Sequence, residues 1–155
     1  MSEFEFSYSS ASGDDLLYYD GPVIEVSISA PVPLLRYLRD NHLPGYAVIS
    51  GLAILDTGAS VSVVDESVMD ALEIPYLDAI LTETIHGTAE TKRYNASASF
   101  PSLQIADIDL SYAPAGSVKS RTNGGGDVIM LLGRYLLRQF TFIYDGPNHK
   151  VKIAV

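Results

Sequence analysis

The sequence predicts a mainly β domain with two or three short helices, on three observations. Apolar and polar residues alternate from Ile24 to Ser29 and again from Ile105 to Tyr112, the period-two pattern of a strand with one buried face. Two nearly continuous apolar runs, Ala47 to Leu55 and Val128 to Leu132, fit strands buried on both faces. Helical spacing is confined to short stretches that Pro or Gly soon ends.

In chain order, Met1 to about Asp20 is rich in Ser, Asp and Glu and reads as a flexible acidic arm. Its apolar residues Phe4, Phe6, Tyr8 and Leu16–Tyr19 offer places to dock. The folded domain is expected over 21–155. After the Ile24 strand, Pro33 opens a short helix that Pro44-Gly45 stops. The Ala47 run leads straight into Asp56. A short strand follows at Val61–Val64, and Asp65 is placed to cap a helix carrying Val68, Met69, Ala71 and Leu72. Residues Ala79 to Phe100 read as a polar hairpin turning at His86-Gly87-Thr88. Ala113 to Asp127 reads as a loop, flexible at Asn123-Gly124-Gly125-Gly126. A last hairpin joins Phe140–Tyr144 to Val151–Val155.

The chain has 155 residues, 47% of them hydrophobic and 19% charged. That is enough to bury a real core and too apolar for a disordered protein. Cysteine is absent and only His42, His86 and His149 are present, so thiolate metal sites and cysteine nucleophiles are excluded and no metal site is expected. The net charge of −9 makes nucleic acid an unexpected partner, because phosphate binding needs a basic footprint. No run reaches the ~18 apolar residues of a membrane span. The N-terminus lacks the pattern of a signal peptide, and a cytoplasmic location is expected. Asp107 and Asp109 lack the following glutamate of a calcium loop, and Ser60 lacks the Gly-x-Ser-x-Gly frame of a hydrolase elbow.

The segment that carries chemistry is Asp56-Thr57-Gly58-Ala59-Ser60, led in by Ala53-Ile54-Leu55. A carboxylate ending an apolar strand is costly unless paired, hydrogen-bonded or shared. Gly58 allows a tight path and close approach of another group. Thr57 offers a hydroxyl, and Ala59 leaves room for a ligand.

This segment resembles the active-site motif of aspartic proteases, in particular the single-lobed retroviral type, the retropepsins. Ile129-Met130-Leu131-Leu132-Gly133-Arg134 resembles the family's second motif, which packs beside the aspartate turn. The resemblance runs from about Pro22 to Val155 and is similar to uncharacterised bacterial members. It implies a closed, barrel-like retropepsin lobe and an aspartic endopeptidase that hydrolyses extended peptides or a polyprotein. No metal or cofactor is implied. The chain has one Asp-Thr-Gly, whereas the chemistry uses two carboxylates that share a proton. The second must come from another copy, so the resemblance implies a homodimer with Asp56 of each subunit at the axis.

By the same resemblance, Asp56 is catalytic and Thr57 and Gly58 brace the site. Gly58 and Ala59 line the peptide cleft, and Ile85, His86, Gly87 and Thr88 form the tip of a substrate-covering flap. Leu132, Gly133 and Arg134 support the turn. The sequence departs from the pattern at Tyr135, where relatives carry Asp or Asn. It departs again at Ser60, where retroviral enzymes carry a carboxylate that pairs with the arginine. The stretch Ala30–Ser50 is longer than its retroviral counterpart. The alternative reading is a catalytically silent module of the same fold that dimerises or binds peptides.

Overall fold

The computed structural model describes residues 1–155, the side chain of Thr84 excepted. The elements in chain order are β1 (Glu3–Ser7), α1 (Leu16–Asp20), β2 (Val23–Ser29), α2 (Val32–Asp40), β3 (Ile49–Leu55), β4 (Val63–Asp65) and α3 (Glu66–Ala71). Then follow β5 (Asp78–Thr84), β6 (Gly87–Phe100), a 3-10 turn at Pro101–Leu103, β7 (Ile105–Gly116), β8 (Ser120–Arg121) and β9 (Asp127–Leu132). The chain ends with α4 (Arg134–Leu137), β10 (Thr141–Asp145) and β11 (Lys150–Ala154). The mainly β expectation holds, with four short helices in place of two or three.

Six strands close into a barrel in the order β2-β3-β9-β4-β7-β6. The ring is completed where Ser27–Ser29 of β2 pair with Ser97–Ser99 of β6. Closure gives edge amides a partner that an open sheet would leave to solvent. The two strands flanking the later site run in parallel: Ile54 of β3 lies opposite Leu131 of β9, and Leu55 opposite Leu132. Inward side chains form the core, with Ile28, Ala53, Val64, Phe100, Met130 and Leu132 fully buried. Each large one stabilises the fold by roughly 1.5–3 kcal/mol.

The expectation that Ala47–Leu55 is buried on both faces needs correcting. Ala53 and Leu55 point into the core, but Leu52 and Ile54 stay half-buried on the outer face. Asp65 caps α3 as its position predicts, its carboxylate accepting from the Ser67 amide. The polar hairpin is present, pairing from Asp78–Arg93 out to Thr84–Gly87. β7 runs to Gly116, well into the stretch read as loop, because β6 and β4 pair with its second half. Its positive-φ residue Tyr112 donates its N–H to Asn95 Oδ1 at 3.0 Å.

The loose N-terminal arm is also overturned. All five residues of β1 pair antiparallel with β11, which pairs with β10 on its other side. Alternation explains this docking. Phe4 and Phe6 stand opposite Ile153 and Val151, which are fully buried. On the other face Lys150 meets Glu5 at 2.8 Å. Tyr8 is buried and donates its hydroxyl to the Val23 carbonyl at 2.7 Å, and Leu17 of α1 is buried too. No helix among the described residues is long and apolar enough to cross a membrane.

Candidate active site

Asp56 leaves the end of β3 and begins a tight turn. Its amide donates to the Leu132 carbonyl at 3.0 Å, which extends the β3–β9 ladder by one bond. The Gly58 amide donates to Asp56 Oδ1 at 2.9 Å and fixes the carboxylate's direction. A Cβ at position 58 would stand 3.0 Å from that same oxygen, so glycine permits the close return. Asp56 is half-buried, and among the described residues no other hydrogen-bond donor meets its carboxylate.

The second segment sews the turn down from below. Arg134 donates its amide to the Ala59 carbonyl at 2.9 Å, and Tyr135 its amide to the Ser60 carbonyl at 3.0 Å. Arg134 Nη1 reaches back to the Thr57 carbonyl at 2.7 Å. Thus the arginine whose carboxylate partner the sequence lacks braces backbone instead. Gly133 is buried, and its amide donates to Ser62 Oγ at 3.0 Å. A Cβ there would lie 2.3 Å from the Val61 carbonyl oxygen. Tyr135 is exposed, with the Arg138 guanidinium 4.5 Å above its ring.

The structure therefore brings Asp56, Thr57, Gly58 and Ala59 together with Leu132, Gly133 and Arg134. Ile85, His86, Gly87 and Thr88 form the exposed tip of the β5–β6 hairpin. Ile85 is 95% exposed, and the bonds described at the Asp56 turn come from Gly58, Leu132 and Arg134. The hairpin's base is firm. Arg93 forms a two-bond ion pair with Asp78 and lies 5.2 Å from the centre of the Tyr112 ring. This hydrogen-bonded guanidinium lowers the Asp78 pKa.

Sequence reasoning missed Ser62, which carried no signal beyond lying six residues past Asp56. It also missed the second duty of Asp65. Besides capping α3, this buried carboxylate accepts from the amides of Val118 at 3.0 Å and Lys119 at 2.8 Å. Burial pushes its pKa up, but its bonds with Ser67, Lys119 and Val118 outweigh that and hold it below the usual carboxylate value.

A closed barrel with an Asp-Thr-Gly turn locked against a Leu-Gly-Arg segment defines a class. The aspartyl protease family model matches residues 48–136, and the chain belongs to that family. Among solved structures it is similar to a retropepsin-like aspartic protease from Rickettsia conorii, with 17% identity and a TM-score of 0.51. That match covers 98% of this chain and 90% of the other, and the likeness is one of fold. No curated protein is similar enough to match.

Proposed function

We propose that the protein is an aspartic endopeptidase built from two copies of the chain. The observation that carries this reading is the Asp56 turn. Its backbone is fixed by Leu132 and Arg134, and its carboxylate is aimed by Gly58. Such rigidity is what a catalytic carboxylate needs, because misplacement by about 1 Å costs on the order of a hundredfold in rate. One chain supplies one such aspartate, so the pair is completed by Asp56 of a second copy.

In this reading one Asp56 carboxylate takes a proton from a water molecule as the water attacks the scissile carbonyl. The protonated partner hydrogen-bonds the carbonyl oxygen and then passes a proton to the leaving amine. No covalent enzyme intermediate forms. Thr57 of each copy braces the pair across the axis, and Gly58 and Ala59 line the peptide. The β5–β6 hairpin serves as the flap, with Ile85, His86, Gly87 and Thr88 at its tip, closing over an extended peptide bound as an added strand.

The test is cleavage of a diverse peptide library by the unmutated protein and by Asp56→Asn at matched, dimer-populating concentration. Cleavage sites should appear only with the unmutated protein, while circular dichroism and sedimentation stay the same for both. Equal cleavage by the variant would remove Asp56 from the chemistry. Peptide capture without products would leave a silent binding module.

A further inference from the structure

We infer that a cavity between β7 and the start of α4 is a binding site for an organic cation, an ammonium group on a short apolar stem. The rings of Tyr112 and Tyr135 and the carboxylate of Asp109 are the groups that select it. The inference does not depend on the reading of Asp56 as the catalytic group.

Three observations carry it. The first is a bend in β7. Tyr94 of β6 lies opposite Ala113, and Ala96 lies opposite Leu110. Asn95 alone therefore faces two residues, Ser111 and Tyr112, which makes a β-bulge. Tyr112 takes up the bend at φ +52°, a left-handed conformation that a bulky side chain adopts only under constraint. Asn95 supplies the constraint, since its Oδ1 accepts the Tyr112 N–H at 3.0 Å. A bulge re-aims a side chain, and here the ring it re-aims is 55% exposed. The core gains little from an exposed ring, so the placement of Tyr112 points to a task at the surface.

The second is the cavity that this ring borders. It measures about 180 Å³ and reaches the buried Leu110 and Leu136 beside the half-exposed Val61. Its lining is mostly apolar. An engineered apolar cavity of about 150 Å³ admits benzene, so this one has room for a short hydrocarbon stem. Tyr135 also lines it. That residue is one of this chain's departures from the pattern it resembles, and at 59% exposed it is not there to fill the core.

The third is charge. Asp109 lines the same cavity. Its Oδ2 accepts from Ser111 Oγ at 3.2 Å, and among the described residues no cation pairs with it. Both rings already attract cations: the Arg93 guanidinium lies 5.2 Å from the centre of Tyr112, and that of Arg138 lies 4.5 Å from the centre of Tyr135. Arg93 is neutralised by Asp78. Arg138 has no such carboxylate among the described residues and opposes a cationic ligand. An unpaired carboxylate beside tyrosine rings and an apolar cavity favours a cation with an apolar body over an anion or a neutral analogue.

The experiment titrates the full chain with n-butylammonium, n-butanol, butyrate and methylammonium, and reads amide NMR shifts. n-Butylammonium should shift Val61, Ser62, Ser111, Tyr112 and Tyr135 along a saturable curve. Butanol and butyrate keep an apolar stem without the positive charge, and each should bind about tenfold more weakly or worse. Methylammonium keeps the charge without the stem and should weaken by at least about as much. Asp109→Asn should cost n-butylammonium about tenfold and Tyr135→Ala several-fold. Both side chains are exposed, so both variants should melt like the parent. Arg138→Ala should tighten binding. Nα-acetyl-lysine methylamide separates the sources of the ligand: shifts at the same amides support a lysine side chain of another protein, and shifts with n-butylammonium alone support a free amine. Equal binding of butylammonium and butanol, tighter binding of butyrate, weaker binding in Arg138→Ala, or unchanged affinity in Asp109→Asn and Tyr135→Ala overturns the site. Unsaturable shifts spread over the surface do the same, because a chain of net charge −9 attracts any cation. If one of these two variants fails to fold, the other decides.

Discussion

The guanidinium of Arg134 holds the carbonyl of Thr57 at 2.7 Å, across 77 residues of chain. Its head is exposed, so water can replace it at that carbonyl. Arg134→Ala should therefore lower stability only modestly, by about 0.5–1.5 kcal/mol. Loosening the turn beside Asp56 should lower kcat/KM far more, at least tenfold. Thermal melts and steady-state kinetics on the same preparation separate the two effects. An activity loss no larger than the loss of folded protein would show that the brace has no catalytic part.

Gly133 is the tightest point of the lock. A methyl group there would stand 2.3 Å from the Val61 carbonyl oxygen and 2.4 Å from its carbon. Backbone atoms cannot yield as a flexible side chain can. Gly133→Ala should cost about 3 kcal/mol, read as a lower urea midpoint. Gly45→Ala is the control, since nothing lies within 4 Å of the place its methyl group would take.

Asp65 makes the fold sensitive to acid. Its folded pKa lies below the ordinary carboxylate value because its hydrogen bonds outweigh burial. The stability it contributes is then fully present above the unfolded pKa of ~3.9 and is lost as pH falls through the lower folded pKa. Urea midpoints measured from about pH 5 down to about pH 2 should fall less steeply in Asp65→Asn than in the unmutated protein. A variant slope as steep as the parent's would assign acid sensitivity elsewhere.

The Asp78–Arg93 pair pins the base of the β5–β6 hairpin. Asp78→Asn removes the ion pair and leaves the strand register to the backbone bonds and the Thr82–Thr91 hydroxyl bond. Amide exchange at Leu81 and Thr91 should quicken, with the melting temperature within about 2 °C of the parent, as for a partly exposed pair. In the protease reading, KM should rise more than kcat falls. Unchanged exchange would place the hairpin's order in its backbone.

Deleting residues 1–20 should unfold the protein rather than release activity. The deletion strips β1 from β11 and uncovers Val151 and Ile153, both fully buried, and it removes the buried Leu17 and Tyr8. A truncated chain that stays monodisperse and melts like the parent would restore the idea of a dispensable arm.

What was legible in the sequence was local. The Asp65 cap and the β5–β6 hairpin depend on residues near one another in the chain, and pattern alone exposes them; the Asp56 turn showed through its own Asp-Thr-Gly, although Leu132 and Arg134, which hold it, lie far along the chain. The second half of β7, with Ala113, Pro114, Ala115 and Gly116, has few residues that favour strands. It is extended because β6 and β4 pair with it. The N-terminal alternation of Phe4, Phe6 and Tyr8 was hidden among acids and serines, and its value appears only when β11 arrives opposite. Ser62 and Asp20 act on Gly133 and Asn123, 71 and 103 residues away, and no window of sequence contains both ends.

That distance also sets an order of events during synthesis. A ribosome that has just made Asp56 has not yet made Leu132, which accepts its amide, or Arg134, which braces Thr57. Until those residues emerge and β9 slots in beside β3, the carboxylate sits on an unanchored turn. The proposed activity therefore switches on only with completion of the barrel, and unfinished chains are spared from cutting one another.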